Sequence, residues 1–173
     1  MSADQPLVIR RAVEEDAAAL IELRRKLFSE TEYMLWEPDE FVQTADDEAK
    51  RIARLNGRSN SLVILAEDDA QPVGILTAVG GEVRRVRKSA SLALGVAKAH
   101  WGQGVATQML QHALGWSRTS GLRRVELTVH TSNIRAVDVY LRCGFQVEGV
   151  RRSSLLVGGS DVDEYLMSVL NEV

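Results

Sequence analysis

The segment Leu94–Met109 has the sequence LGVAKAHWGQGVATQM, which joins the end of an apolar strand, a glycine turn and the start of an amphipathic helix. The strand is predicted over Ser91–Ala97, and the turn holds Gly102 and Gly104. A helix that begins directly after such a turn leaves its first backbone N–H groups without intrahelical acceptors, and its dipole is positive at that end. The segment therefore indicates a binding site for an anion such as a phosphate group.

Apolar runs and helical periodicities on both sides of this turn predict an α/β fold. Helices are expected over residues 14–28, 44–55, 105–117 and 133–142. Strands are expected over residues 7–9, 61–67, 72–79, 91–97, 124–130, 145–156 and 162–170. Hairpins at residues 68–71 and 158–160 make part of the sheet antiparallel, whereas the strands flanking the 105–117 helix should be parallel. We expect one domain, residues 1–173, with helices on both faces of a mixed sheet.

Composition restricts the class of protein. The chain has 173 residues, of which 45% are hydrophobic, so it should bury about 70% of its unfolded surface in one core. Its formal net charge of −3 and pI of 5.7 argue against a nucleic-acid partner, because such domains usually have a pI above roughly 9. The single cysteine, Cys143, excludes an intrachain disulfide. With no long apolar run and no leader sequence, we expect a cytoplasmic protein without a membrane partner.

Three interpretations of the glycine turn compete. The first is a helix start that binds nothing. The second is a dinucleotide site, which requires a third small residue in G-x-G-x-x-G, yet Thr107 stands there and the turn follows an antiparallel hairpin. A phosphate loop ending in Gly-Lys-Ser/Thr is absent. The third is a site for the pyrophosphate of coenzyme A.

A second motif, one strand further along, favours coenzyme A. Asn133, Ala136, Tyr140, Gly144 and Phe145 form N-x-x-A-x-x-x-Y-x-x-x-G-F. Together with the WGQGVA turn, this motif resembles the GCN5-related N-acetyltransferase (GNAT) family, whose cofactor is acetyl-CoA. The resemblance extends over nearly the whole chain. It implies a mostly antiparallel sheet whose central parallel strands splay apart, with the pantetheine arm of the cofactor between them.

The resemblance also implies a set of cofactor-binding residues. The pantetheine arm should pair with one strand edge, the pyrophosphate should meet the N–H groups of the turn, and a backbone N–H near Val96 should stabilise the oxyanion. The implied residues are Leu94, Gly95, Val96, Ala97, Trp101, Gly102, Gln103, Gly104, Val105, Ala106, Thr107, Asn133, Ala136 and Tyr140. Trp101 departs from the family pattern, which has Arg or Gln at this position.

The resemblance assigns one of the two proton-transfer roles. Tyr140 matches the family's usual general acid, which protonates the departing thiolate. Many relatives carry a glutamate as the base just before L-G-I/V, where this chain has Ala93. The remaining candidates for the base are Glu126, which we place first, then His130, Glu37 and Asp163, or a relay of water molecules. No spacing of acidic residues or histidines predicts a metal site.

The expected function is an N-acetyltransferase that moves acetyl from acetyl-CoA to a primary amine by direct attack in a ternary complex. Tyr33, Trp36 and Glu37 are the candidate substrate-binding residues, as an aromatic and acidic wall for a cationic amine, although core packing suits both rings equally well. The amine could belong to a small molecule or to a protein N-terminus. The alternative is a non-catalytic acyl-CoA-binding regulatory module. The oligomeric state, monomer or homodimer, stays open.

Overall fold

The computed structural model describes residues 7–172, which form a seven-stranded sheet with helices on both faces. The strands are β1 (Val8–Arg11), β2 (Leu62–Asp68), β3 (Gln71–Gly80), β4 (Ser89–Val96), β5 (Arg124–His130), β6 (Gln146–Val157) and β7 (Ser160–Leu170). The helices are α1 (Ala17–Glu30), α2 (Ala45–Asn56), α3 (Val105–Thr119) and α4 (Ile134–Arg142). Short 3₁₀ turns cover Glu14–Asp16 and Lys98–His100.

The strand order is β1-β2-β3-β4-β5-β7-β6. Within the described residues β4 and β5 are parallel, and the other neighbouring strands are antiparallel. The predicted α/β fold, with its mostly antiparallel sheet and central parallel pair, is confirmed. The predicted domain also includes residues 1–6 and 173, which lie outside the described residues.

The helix starts follow from local side-chain chemistry. Thr44 caps α2, because its Oγ1 accepts from the Asp47 N–H at 3.2 Å while Asp47 accepts from the Thr44 N–H at 2.9 Å. Asn133 caps α4 by accepting from the Ala136 N–H at 3.3 Å. The Asn133 cap fixes where α4 begins, and α4 carries the second motif.

Two apolar clusters hold the helices on the sheet. On one face α1 and α2 pack on β2 and β3 through a cluster that includes Leu20, Leu27 and Ile52. On the other face α3 and α4 pack through a cluster that includes Met109 and Phe145. Full burial of each such side chain contributes about 1.5–3 kcal/mol, so the central strands are held rigidly from both sides.

The C-terminal hairpin is the part of the topology that the sequence did not predict in detail. Its second strand, β7, lies beside β5, and β6 forms the edge of the sheet. The turn between them holds Gly158 and Gly159, both with positive φ. Alternating apolar and polar residues identify a hairpin but do not determine which of its two strands pairs with the sheet.

Candidate active site

A gap between β4 and β5 lies at the centre of the sheet. The two strands pair only from Ser89↔Arg124 to Ser91↔Glu126. Beyond that point β4 continues to pair with β3 as far as Val96, while its other edge has no partner strand among the described residues. The gap therefore widens toward the C-terminal ends of both strands, as the resemblance implied.

The free edge of β4 presents backbone polar groups to this gap. The Ala97 N–H donates to the Val73 carbonyl on β3 at 2.8 Å. Because peptide groups alternate in direction along a strand, the N–H and carbonyl groups of Val96 and Leu94 point the other way, toward β5. An extended ligand in the gap could pair with these groups as an added strand would, except for the Val96 carbonyl, which accepts from Trp101.

The glycine turn lies directly after this edge. Gly102 and Gly104 have φ values of +77° and +80°, a conformation that is costly for residues with a Cβ. The first N–H of α3 that bonds inside the helix is that of Gln108, which donates to the Gly104 carbonyl at 3.0 Å. A Cβ built on either glycine would meet no atom within 4 Å from any described residue other than its chain neighbours. The turn thus presents free N–H groups to open space at the positive end of a helix.

Trp101 links the turn to the strand edge. Its indole Nε1–H donates to the Val96 carbonyl at 2.7 Å. Two cations lie near its ring, with Lys98 Nζ at 5.9 Å and Arg135 Cζ at 5.1 Å from the centroid. Trp101 therefore fixes the Val96 peptide and places positive charge beside the turn.

Tyr140 lies on the α3 and α4 side of the gap. It is buried, its ring centroid is 5.7 Å from that of Phe145, and it shares an apolar cluster with Leu94 and Val96. Burial, with a smaller contribution from the neighbouring Cys143 thiol, raises the pKa of Tyr140 to about 12. Its phenol therefore carries its proton at neutral pH and can donate a hydrogen bond, while the higher pKa makes it a weaker acid than a free phenol. Burial also raises the pKa of the Cys143 thiol, which argues against a nucleophilic role.

A cleft of about 640 Å³ opens beside the gap. The residues that line it come from the end of α1, the following segment, the turn after β4, the end of β5 and the C-terminal hairpin; they are Phe28, Ser29, Glu30, Thr31, Glu32, Tyr33, Met34, Leu35, Trp36, Glu37, Pro38, Lys98, Trp101, His130, Leu155, Leu156, Val157 and Gly158. The three side chains predicted to contact substrate, Tyr33, Trp36 and Glu37, therefore all lie in one cleft with Trp101.

The segment 31–38 reaches the cleft because Gly95 lets it approach β4. A Cβ on Gly95 would lie 2.7 Å from Leu27 Cδ1 and 3.3 Å from Met34 Cε. β4 therefore has no side chain at the position where α1 and the segment after it pass over the strand. The sequence predicts Gly95 only as a cofactor contact. A glycine inside a predicted strand could also have indicated that another part of the chain approaches the strand closely.

His130 is the buried titratable group of the cleft. Its ring is 5.4 Å from that of Tyr33 at an interplanar angle of 88°. Its direct cross-strand neighbour on β7 is Glu164, whose carboxylate accepts from Ser154 Oγ at 2.9 Å and Arg151 Nη1 at 3.2 Å. Neighbours in that register project from the same face of the sheet, so an imidazolium at His130 would lie near a carboxylate.

Glu126 lies elsewhere, at the closed end of the gap. Its carboxylate accepts from Arg124 Nε at 2.6 Å and from Ser91 Oγ at 3.4 Å, and it does not line the cleft. Asp163 accepts from the Ser153 N–H at 2.8 Å in the C-terminal hairpin and does not line the cleft either. Of the candidate bases, the structure brings His130 and Glu37 into the cleft.

With this geometry the comparison with known families is decisive. The model of the acetyltransferase (GNAT) family matches residues 18–145. The chain belongs to the GNAT family of acetyltransferases. This GNAT chain is 31% identical over 121 residues to an L-amino acid N-acetyltransferase from Escherichia coli K12, which covers 66% of this chain and 72% of the relative. It is 28% identical over 127 residues to a spermidine N(1)-acetyltransferase from Vibrio cholerae, covering 72% of each.

A solved GNAT acetyltransferase from Streptococcus pneumoniae superimposes with a TM-score of 0.93 at 28% identity, covering 96% of this chain and all of the other. The family uses acetyl-CoA as its acetyl donor. Within residues 7–172 of this GNAT chain, no helix is long and apolar enough to cross a membrane. The same residues hold no group of three or more His, Cys, Asp or Glu side chains that could bind a metal ion.

Proposed function

We propose that this protein transfers an acetyl group from acetyl-CoA to a primary amine while both substrates are bound. The observation that carries the proposal is the position of the gap. It opens between the glycine turn, which suits a pyrophosphate, and the cleft, which suits an amine, so the two ligands would meet at the free edge of β4. Acetyl-CoA supplies an activated acetyl thioester, and no covalent bond to the protein is required.

The chain's own groups fit the cofactor. The free edge over Leu94–Ala97 would pair with the amides of the pantetheine arm, and the N–H groups of Gln103–Thr107 would face the pyrophosphate. Gly102 and Gly104 leave room for close approach to that backbone, since no described residue other than their chain neighbours has an atom within 4 Å of their Cβ positions. The Val96 N–H, which points into the gap, would donate to the thioester oxygen as that oxygen gains negative charge.

Tyr140 would protonate the departing thiolate. A free thiol has a pKa near 8.5, so its anion leaves more readily when a proton donor is close. Tyr140 lies on the α4 side of the gap, with its pKa raised to about 12. The phenol therefore retains its proton until the thiolate develops beside it.

His130 fits the role of base better than Glu126, the first candidate from the sequence. An alkylamine with a pKa of about 10.4 costs roughly 4–5 kcal/mol to deprotonate at pH 7, so a proton acceptor beside it matters. His130 lines the cleft, whereas Glu126 lies outside it in a pair with Arg124. His130 and Tyr140 would then act from opposite faces of the sheet, with the reacting atoms between them.

The test is release of free thiol from acetyl-CoA with a panel of small amines and peptides that have free N-termini. Calorimetry with coenzyme A, in parallel, reports binding apart from turnover. Transfer to at least one amine supports the proposal. Tight coenzyme A binding with no thiol release for any amine would instead identify a non-catalytic acyl-CoA-binding module. Two of the relatives are named for acetylation of spermidine and of L-amino acids. Small amines are therefore the first acceptors to test.

A further inference from the structure

The cleft carries an excess of negative charge. Among residues 7–172, three carboxylates line it, those of Glu30, Glu32 and Glu37, against one ammonium group, that of Lys98. Glu30 is already engaged, because its Oε2 accepts from the Lys98 backbone N–H at 2.8 Å. Glu32 and Glu37 are exposed, and the part of the chain that the structure describes gives neither of them an ion-pair partner. Two carboxylates are therefore available to a ligand.

From this arrangement we infer that the acetyl acceptor is a small diamine, whose second ammonium group binds at Glu32 and Glu37. The inference rests on the proposed acetyl transfer at the same site and adds the class of substrate. It concerns the amine that does not react, because Glu32 and Glu37 are exposed members of the lining, whereas the proposed base His130 is a buried one.

The walls of the cleft suit the carbon chain between two such amines. Tyr33, Trp36 and Trp101 contribute aromatic surface to the lining, and Leu155–Val157 contribute apolar surface. Trp36 remains 42% exposed, so its ring is available to methylene groups and to a cation. The volume of about 640 Å³ lies within the range of roughly 300–1,000 Å³ that small-molecule sites occupy.

An acceptor that carries a carboxylate fits this cleft poorly. Lys98, the one lysine in the lining, has its ammonium group 5.9 Å from the centroid of the Trp101 ring, which already offers it a favourable contact. A ligand carboxylate would also meet the unpaired charges of Glu32 and Glu37, and such like charges repel each other. The cleft therefore favours the substrate class of the spermidine-acetylating relative over that of the relative that acts on amino acids.

Three amines with the same methylene chain test the inference. Cadaverine, n-hexylamine and aminocaproate end in an ammonium, a methyl and a carboxylate group, respectively. We expect kcat/KM to be highest for cadaverine and lowest for aminocaproate. The Glu32→Gln/Glu37→Gln double variant should reduce the ratio of cadaverine to n-hexylamine by about two- to tenfold, as expected for partly exposed charge pairs. For the wild-type protein, the ratio of kcat/KM for cadaverine to that for n-hexylamine should also fall as the salt concentration is raised.

Glu15→Gln is the matched control, because Glu15 is exposed in the turn before α1 and lies outside the cleft; it should leave the ratio unchanged. The inference is overturned if kcat/KM for n-hexylamine or aminocaproate equals or exceeds that for cadaverine. It is also overturned if the double variant keeps the wild-type ratio of cadaverine to n-hexylamine. Failure to acetylate any amine, with coenzyme A still bound, would overturn the proposed acetyl transfer itself. The two failures are therefore distinguishable.

Discussion

The two sides of the proposed active site use different groups of the protein, backbone groups on one side and side chains on the other. The cofactor side consists of Leu94–Thr107 and α4 with its cap, Asn133. It offers mainly backbone groups, most of them from the continuous stretch Leu94–Thr107. The acceptor side, defined as the lining of the cleft, offers side chains from the end of α1, the segment after it, the end of β5 and the C-terminal hairpin. Backbone recognition requires particular residues only where the chain must turn or approach closely. Side-chain recognition can change with any substitution in the lining.

This difference indicates how chemistry and specificity are divided in the molecule. The cofactor side depends on strand separation, on two glycines with positive φ and on a helix start, which the core packing holds in place. The acceptor side depends on exposed segments, among them residues 31–38, where Met34 Cε would lie 3.3 Å from a Cβ built on Gly95. We therefore expect changes on the cofactor side to affect every acceptor alike, and changes on the acceptor side to affect the choice of amine.

The largest effect is expected from Tyr140→Phe, which removes the proposed acid and keeps the ring that packs on Phe145. Turnover should fall about 1,000-fold, within the range for general acid catalysis, while the affinity for acetyl-CoA changes little. Thiol-release kinetics and calorimetry measure the two quantities. Because the pKa of Tyr140 is about 12, its ionisation should cause no loss of wild-type activity up to about pH 10. Tyr165→Phe, on β7, is the control and should retain activity; equal turnover in both variants would remove Tyr140 from the acid role.

The second largest effect is expected at His130, and it is compared with the effect of the same substitution at Glu126. His130→Gln should lower kcat/KM for an alkylamine about 100-fold, because the amine would lose the proton acceptor in the cleft. Glu126→Gln should have a much smaller effect, since Glu126 lies at the closed end of the gap beside Arg124. The pH profile separates a base from a merely structural residue: loss of the base should shift the rise of activity toward the pKa of the amine. A larger loss with Glu126→Gln would restore Glu126 as the base.

The contrast between the two sides also explains what the sequence could predict. Helix starts, hairpins and the glycine turn depend on neighbouring residues, so Thr44, Asn133 and Gly104 indicated them correctly. The parallel β4–β5 pair followed from the intervening helix. These local features together define the cofactor side, and the resemblance to the family added the identity of the cofactor.

The acceptor side depends on contacts between distant parts of the chain. Nothing near His130 in the sequence shows that Tyr33 packs against its ring or that Glu164 is its neighbour on β7. The pairing of β7 with β5 brings Glu164 there, and hairpin pattern alone did not determine that pairing. The sequence places Glu126 and His130 on the same strand, β5, and only the register shows that Glu126 is at the closed end of the gap.

A matched pair of glycines tests the cofactor side. Gly104 and Gly121 lie at opposite ends of α3, with φ values of +80° and +70°. Apart from their chain neighbours, no described residue has an atom within 4 Å of either Cβ position. Gly104→Ala and Gly121→Ala should each cost about 1–2 kcal/mol of stability through backbone strain, measured by denaturant unfolding. Only Gly104→Ala should also weaken acetyl-CoA binding, by about tenfold, because its methyl group would stand among the N–H groups of the turn. Equal affinity in the two variants would argue against a phosphate site there.

The smallest effect is expected from Trp101→Phe, where the two sides meet. The variant keeps an aromatic ring beside Lys98 and Arg135 but loses the indole N–H that occupies the Val96 carbonyl. A neutral hydrogen bond contributes about 0.5–1.5 kcal/mol, so stability should fall by that amount. Because the carbonyl becomes free to accept from a pantetheine amide, acetyl-CoA should bind about two- to tenfold more tightly. Calorimetry measures this change, and weaker binding would show instead that the indole supports the edge on which the cofactor pairs.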